Sequence, residues 1–224
     1  MANSPNRLKE YFDEYIVPCH ECSKDACIKS LLSYEKLLPY SVSNNARVLL
    51  LGHSPRVRTK SQSVINTTLD LNRESSLWRY ITKDILTPLG IALKECTATN
   101  LVKCQTIKQM PEDIRIDGRK TFMEKAFEYC GRHLEHEILL SNPSLIISLS
   151  ERVAVLLQKR FSPDMKRLYM QEIFGTKQEL RVKGNDYIWI PVVHIPKEKI
   201  SDYYFPEQTH RLEMLHNQIQ DLLQ

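Results

Sequence analysis

Apolar residues recur along the chain in two arrangements, as short continuous runs and at helical spacing. Continuous runs cover residues 47–51, 145–149 and 187–193, a pattern typical of strands buried on both faces of a parallel sheet. A shorter fourth strand is predicted over residues 95–102. Helical spacing, with Ser or Pro at several starts, predicts helices over 5–16, 24–37, 75–86, 119–141, 150–157 and 206–222. The stretch 161–186 is less regular and fits short strands near 168–174 and 178–182.

This alternation predicts an α/β fold in which helices cover both faces of a parallel sheet. Binding sites in such sheets lie beyond the carboxyl ends of the strands. Polar residues follow each predicted strand, at 52–55, 100–104, 148–150 and 194–197. The sequence therefore predicts a pocket at this edge of the sheet.

Composition is that of a single globular domain. The chain has 224 residues, 42% of them hydrophobic and 26% charged, which is enough apolar material for one large core. No linker or repeat divides residues 1–224, so we expect one domain with the cysteine-bearing segment 1–45 packed on it. The net charge of +4, from 31 basic and 27 acidic residues, is compatible with a nucleic-acid partner.

Two sequence features bear on localisation. The chain has no apolar run long enough for a transmembrane helix and no apolar segment near its first residues that resembles a secretory signal. We therefore expect a cytoplasmic monomer that does not bind a membrane.

Six cysteines are the most informative residues of the chain, and disulfides are disfavoured in a reducing compartment. Cys19 and Cys22 form a C-x-x-C pair, which predicts a metal, cluster or redox site. A thioredoxin-like redox site needs a strand before the motif, and Pro18 interrupts the short apolar stretch there. The spacing therefore favours a metal or cluster site.

Six pieces of sequence stand in a characteristic order. They are the C-x-x-C pair, GHSP at 52–55, TNLVKC at 99–104, Cys130 in a predicted helix, the apolar strand 145–149, and VHIP at 193–196. In this order they resemble the iron–sulfur-containing, family 4-like branch of the uracil-DNA glycosylase superfamily. The resemblance spans nearly the whole chain, and TNLVKC is its most specific piece.

The resemblance implies a three-layer α/β/α sandwich with a central four-stranded parallel sheet. It implies an enzyme that flips uracil or another deaminated base out of single- or double-stranded DNA and hydrolyses its N-glycosidic bond. It also implies a [4Fe–4S] cluster, which takes four thiolates, here from Cys19, Cys22, Cys104 and Cys130. Zinc and plain buried cysteines are the alternatives. Cys27 is the substitute ligand if Cys22 points away, and Cys96 is expected in the core.

The same resemblance assigns roles to the predicted pocket. Asn100 matches the asparagine that reads O4 and N3–H of uracil, and His194 matches the histidine that hydrogen-bonds the base O2 as charge grows on the leaving group. Each also has a structural interpretation, Asn100 as a turn cap and His194 as a packed residue. The remaining assignments are substrate binding by Gly52, Ser54 and Pro55, and DNA contacts by Arg56, Arg58, Lys60 and Lys197.

Three features depart from the family pattern. His53 stands where the family has a carboxylate or amide that orients water, and a neutral imidazole accepts a proton near pH 7, so we take His53 as the candidate catalytic base. Arg56 replaces the closing glycine of that motif. Residues 56–76 contain no aromatic residue, which leaves Trp78 and Tyr80 either to stack on the base or to pack in the core.

These departures keep other function classes open. The main alternative is a catalytically altered or inactive nucleic-acid-binding iron–sulfur protein on the same fold. A further alternative is a regulatory module whose cluster only staples the structure. The absence of G-x-x-x-x-G-K, G-x-G-x-x-G and G-x-S-x-G motifs removes support for a kinase, a dehydrogenase or a serine hydrolase.

Overall fold

The structure is a computed structural model, and it describes residues 7–41, 46–55, 67–71, 74–106, 115, 120–162, 169–194 and 201–224, without the side chains of 41, 70 and 201–203. The strands are β1 (Leu32–Lys36), β2 (Tyr40–Ser41), β3 (Val48–Gly52), β4 (Cys96–Asn100), β5 (Cys104–Thr106), β6 (Leu145–Leu149), β7 (Gln178–Val182) and β8 (Asn185–Val192). The helices are α1 (Arg7–Tyr11), α2 (Ser76–Arg79), α3 (Phe122–Ser141), α4 (Glu151–Phe161), α5 (Met170–Ile173) and α6 (Ser201–Leu223). The predicted mixed α/β class is confirmed.

A six-stranded sheet organises the described residues, in the order β2-β4-β3-β6-β8-β7. The inner strands β4, β3, β6 and β8 pair in parallel, whereas β2 and β7 pair antiparallel at the two edges. The four inner strands are those predicted from the apolar runs and from residues 95–102. The edge strand β7 matches the short strand predicted at 178–182, and β2 was not predicted.

Both faces of the sheet carry a hydrophobic core because successive side chains of a strand point to opposite faces. Leu49 and Leu51 of β3 belong to a cluster with α3 and α4, while Val48 and Leu50 belong to a second cluster with α6. The second cluster also includes the π-helical continuation of α2, Tyr80–Leu86. None of the helices in the described ranges is long and apolar enough to cross a membrane.

Most predicted helices are confirmed, and their ends have identifiable caps. Thr121 and Glu124 form a reciprocal capping box at the start of α3, and Ser150 accepts a hydrogen bond from the Val153 amide at the start of α4. Ser75 caps α2 in the same way. The C-terminal helix begins at residue 201, earlier than predicted, with Pro206 inside it.

Two local predictions were wrong. The predicted helix 24–37 is instead two short 3₁₀ turns and strand β1, which pairs antiparallel with β5. Ile28 and Leu32 are both buried and stand four residues apart, so their burial imitates helical spacing although tertiary pairing decides the local structure. The predicted strand near 168–174 is the short helix α5.

Candidate functional site

The carboxyl ends of the parallel strands bring Gly52 and Asn100 side by side. They are register partners, the last residues of β3 and β4 respectively. A Cβ atom at Gly52 would lie 2.3 Å from Oδ1 of Asn100 and 2.7 Å from Cδ2 of Leu69. Glycine at position 52 therefore leaves the space that the Asn100 carboxamide occupies.

Asn100 is a buried polar residue with unused hydrogen-bonding capacity. Its side chain is almost fully buried, and Oδ1 has no hydrogen-bond partner among the described residues. Leaving a buried carbonyl unsatisfied costs about 1–3 kcal/mol, and native structures contain few such groups. Oδ1 is therefore a buried acceptor that lacks a donor among the described residues.

The segment after β3 is held against the segment after β4. The amides of Leu101 and Val102 donate to the carbonyls of Gly52 and His53, at 3.0 and 3.1 Å. The Thr106 amide donates to the Pro55 carbonyl at 2.9 Å. His53 is half-buried, with its Nδ1 3.4 Å from the Ser54 hydroxyl. These bonds fix the backbone of the predicted substrate-binding segment 52–55.

His194 follows β8 at the same edge of the sheet, and its side chain is exposed. The residue before it is fixed from both sides. The Val193 carbonyl accepts a hydrogen bond from the Tyr80 hydroxyl, and the Val193 amide donates to Oε1 of Gln208 at 2.9 Å. Gln208 is fully buried and donates from Nε2 to the Tyr80 hydroxyl at 3.2 Å.

Tyr80 is thus a supporting residue of the β8 end and does not provide a free stacking ring. Its ring packs edge-to-face on Phe205, and burial raises the pKa of its hydroxyl. Trp78 is partly buried against the second core cluster. Gln208 was missed by the sequence reasoning, although a glutamine four residues before Leu212 on the apolar face of a helix was an available signal.

The strand order determines how far apart Asn100 and His194 lie along the sheet edge. β3 and β6 lie between β4 and β8, so three strand spacings, about 14 Å, separate the backbones that carry Asn100 and His194. The two side chains therefore flank the ends of β3 and β6, and His53 lies between them in strand order.

The four predicted cluster ligands meet in a second place. Cys19, Cys22, Cys104 and Cys130 line one pocket, together with Ile16, Lys36, Lys103, His133 and two neighbours. They arrive from the 3₁₀ turn Glu21–Lys24 and the residues before it, from the first residue of β5 and from α3. The structure thus brings together four thiols that are up to 111 positions apart in sequence.

The thiols of this cysteine pocket influence one another. Hydrogen bonds to Cys104 and Cys130 raise the pKa of the Cys22 thiol. The same contact with Cys22 lowers the pKa of Cys104, and lowers that of Cys130 to about 7, with help from the Lys103 backbone amide. Thiolates are the form that binds metals, so this environment favours the ligand form at two of the four positions.

The spare cysteines lie elsewhere. Cys27 is exposed and does not line the pocket, and Cys96 is fully buried in the second core cluster. Within the described part of the chain, no group of three or more His, Cys, Asp or Glu side chains is arranged to hold one metal ion. The donor set of the pocket, four thiols, fits an iron–sulfur cluster, which binds one thiolate at each of four irons.

A buried ion pair joins the two places. Lys103 donates from Nζ to Glu137, to the Thr99 hydroxyl at 3.0 Å and to the Asn100 carbonyl at 2.5 Å. Thr99 also donates to Glu137 at 3.0 Å, and both charged side chains are buried. Burial raises the pKa of the Glu137 carboxyl, although Lys103 and Thr99 favour its charged form.

The four predicted DNA contacts, Arg56, Arg58, Lys60 and Lys197, lie outside the described residues. Neither models of known protein families nor curated proteins gave a match to this chain. The geometry of the described residues therefore carries the functional argument.

Proposed function

We propose that the protein is a DNA glycosylase that flips uracil, or another deaminated base, out of DNA and hydrolyses its N-glycosidic bond. The observation that carries this proposal is the buried Asn100 carboxamide against Gly52 at the strand ends, with an acceptor oxygen that lacks a donor among the described residues. We further propose that the fold is the three-layer α/β/α sandwich of the uracil-DNA glycosylase superfamily. Core packing on both faces of the sheet supports that assignment.

Base selection follows from the hydrogen-bonding pattern of a carboxamide. Oδ1 of Asn100 accepts from N3–H of uracil, and Nδ2 donates to O4. Cytosine presents the opposite pattern, an acceptor at N3 and a donor at the 4-position, so it would leave both Asn100 atoms unsatisfied in a closed pocket. Sites built to hydrogen-bond one pattern reject the other strongly because buried polar groups are then left without partners.

Hydrolysis needs a water, a base to take its proton, and a donor to the leaving group. A water attacks C1′ of the sugar and loses a proton to His53, while the bond from C1′ to the base nitrogen breaks. The electrons of that bond move onto the base, where His194 donates a hydrogen bond to O2. The products are the free base and an abasic site.

The cysteine pocket would hold a [4Fe–4S] cluster through Cys19, Cys22, Cys104 and Cys130. When bound, the cluster supplies a covalent staple between the N-terminal turn, β5 and α3. The donor set supports this assignment, and the Arg132 guanidinium donates to the Cys19 sulfur at 3.8 Å. The basic residues Arg56, Arg58, Lys60 and Lys197 are proposed to contact DNA phosphates.

One assay tests the enzyme directly. The purified protein is incubated with an end-labelled oligonucleotide containing a single uracil, and alkali then cleaves the DNA at any abasic site. We expect cleavage by the wild type and loss of at least about 10²-fold in rate for His53→Ala, a common contribution of a general base. Asn100→Ala should also lose activity, because it removes the carboxamide that pairs with the base. Asn185→Ala, at an exposed position at the other end of β8, is the matched control and should cleave normally.

The alternative function is DNA binding by the same fold without hydrolysis. It is favoured by His53, which stands where the related enzymes have a carboxylate or amide. A wild type that binds the uracil oligonucleotide and never cleaves it supports this alternative. A wild type that neither binds nor cleaves this oligonucleotide would contradict both nucleic-acid proposals.

A further inference from the structure

His133 is the unexplained polar residue of the cysteine pocket. It lies on α3 three residues after Cys130, so the two side chains share a helix face, and both line the pocket. The side chain is buried with only 4% of its surface exposed. Its Nδ1 is 3.0 Å from the Tyr11 hydroxyl, and its Nε2 is buried with no hydrogen-bond partner among the described residues.

The Tyr11 contact bears on which ring nitrogen of His133 carries a hydrogen, because the Tyr11 hydroxyl lies against Nδ1 and not against Nε2. A neutral imidazole carries one hydrogen, either on Nδ1 or on Nε2. If the Tyr11 hydroxyl donates to Nδ1, the hydrogen of His133 is on Nε2.

The pocket selects between these two tautomers. It is lined by four cysteine sulfurs, which are acceptors once deprotonated. An N–H at Nε2 is attracted to such sulfurs, whereas a lone pair at Nε2 is repelled by them. The Nε2–H form therefore satisfies a buried donor that otherwise costs free energy.

We propose that His133 donates a hydrogen bond from Nε2–H to a sulfur of the cysteine-bound cluster, and that Tyr11 fixes the tautomer that makes this possible. The inference rests on the cluster assignment made under the proposed function, and it does not depend on glycosylase activity. His133 is thus a positioning residue of the metal site, comparable to the outer partners that tune other metal centres.

A hydrogen bond to sulfur has a measurable consequence. Reduction adds negative charge to the cluster, and a donor to sulfur stabilises the more negative state. Removal of the donor therefore lowers the reduction potential. We expect about a tenfold change in the equilibrium between oxidised and reduced cluster, which corresponds to about 59 mV for one electron.

The test is a potential measurement by voltammetry on the iron-loaded protein, without DNA. His133→Phe should lower the potential of the cluster by the stated amount, and His133→Gln, which keeps an N–H donor, should lower it less. Tyr11→Phe should shift it in the same direction by a smaller amount. His210→Phe is the control, because His210 is an exposed histidine on α6 and does not line the cysteine pocket.

A second measurement keeps the inference testable if His133 variants do not fold. The ¹⁵N NMR spectrum of histidine-labelled wild type reports which ring nitrogen carries the hydrogen, and His133 should relax fastest because it lies beside the cluster. The inference is overturned if His133 carries its hydrogen on Nδ1. It is also overturned if a folded, iron-loaded His133→Phe has an unchanged potential. Neither result contradicts the cluster assignment. An iron-free wild type after anaerobic purification overturns the cluster and this inference together.

Discussion

The cysteine pocket and the strand-end site each take a different residue from the same segment, 99–104. The pocket takes Cys104 and surrounds it with side chains from the N-terminal turn and from α3. The strand-end site takes Asn100 and sets it among residues that follow parallel strands. Parallel strands bring their ends together by topology, whereas the pocket depends on contacts between elements remote in sequence.

Lys103 connects the two regions physically. Its ammonium donates to the Asn100 carbonyl, and its backbone amide hydrogen-bonds the Cys130 sulfur. A change in the position of Cys130 is therefore expected to shift Lys103 and, through it, the backbone at Asn100. Variants confined to one region, and variants of Lys103 itself, therefore separate the two regions.

Cys22→Ala should abolish the pocket as a metal site. Cys22 is buried and its thiol contacts those of Cys104 and Cys130, so its loss removes a ligand and two sulfur contacts. We expect loss of bound iron and of visible absorption, with destabilisation above about 4 kcal/mol, a size reached when a metal is lost. Iron analysis and chemical denaturation measure both.

Cys96→Ala is the matched control for that change. Cys96 is equally buried but lies in the second core cluster, away from the pocket. It should keep its iron and lose only about 1 kcal/mol. Equal iron loss in both variants would contradict the assignment of the pocket, and zinc in place of iron would select the other metal.

Lys103→Met should damage both regions. It leaves Glu137 buried without its cation and removes a donor from the Asn100 carbonyl, and breaking a buried pair costs about 3–5 kcal/mol. Denaturation in urea measures the loss. The double variant Lys103→Met, Glu137→Met should recover much of it, because no unpaired charge remains.

The control for the buried pair is Lys159→Met. Lys159 forms an ion pair with Glu124 at 3.0 Å and is largely exposed. Exposed pairs contribute about 0–1 kcal/mol, so this variant should be nearly as stable as the wild type. A comparable cost for Lys159→Met and Lys103→Met would show that the burial of the pair is unimportant.

Gly52→Ala should affect the strand-end site alone. The added methyl group would meet Asn100 and Leu69, and overpacking of this kind costs about 1–3 kcal/mol. We expect uracil excision to fall with Asn100 displaced, while bound iron is unchanged. Gly184→Ala is the control, since its Cβ meets nothing within 4 Å and its cost comes only from the positive φ of the turn between β7 and β8. Normal excision by Gly52→Ala would remove Asn100 from the proposed site.

His133 gives the stability of the folded chain a pH dependence. Burial lowers its pKa from 6.5 to about 4. Between these two pH values the unfolded chain binds a proton at His133 and the folded chain does not. The contribution of His133 to the free energy of unfolding is therefore complete above pH 6.5 and is lost as the pH falls towards 4. Between pH 7.5 and 5 the loss from this group is about 2 kcal/mol. The wild-type stability minus that of His133→Phe should carry this slope, and a flat difference would contradict the assignment.

The sequence predicted the inner strands and the four cysteines of the pocket, but not the residues that hold them in place. Continuous apolar runs located β3, β6 and β8 because burial on both faces leaves a one-dimensional signal. The motif order led to Cys19, Cys22, Cys104 and Cys130, which the structure brings to one pocket. The number of strands was underestimated because the two-residue strand β2 is too short to produce a pattern.

Hydrogen bonds between residues remote in sequence could not be predicted from apolar runs or motif order. Tyr11 and His133 are 122 positions apart, and Tyr80 and Gln208 are 128 apart. Either residue of each pair looks ordinary in its own segment, since a hydrogen bond between remote elements is decided by packing and not by local periodicity. The helix predicted over 24–37 failed for the same reason, because pairing of β1 with β5 is a tertiary contact.

Tyr80→Phe is the mildest change and the sharpest test of the β8 end. It removes one hydroxyl that donates to the Val193 carbonyl and accepts from Gln208, so stability should fall by about 1 kcal/mol. If His194 acts on the leaving group, a small shift of Val193 should lower the rate of uracil excision and leave DNA affinity and bound iron unchanged. Tyr187→Phe, a buried tyrosine towards the other end of β8, is the matched control. Equal excision rates for Tyr80→Phe and the wild type, despite a measured loss of stability, would mean that the β8 end needs no such support and that His194 is positioned by other contacts.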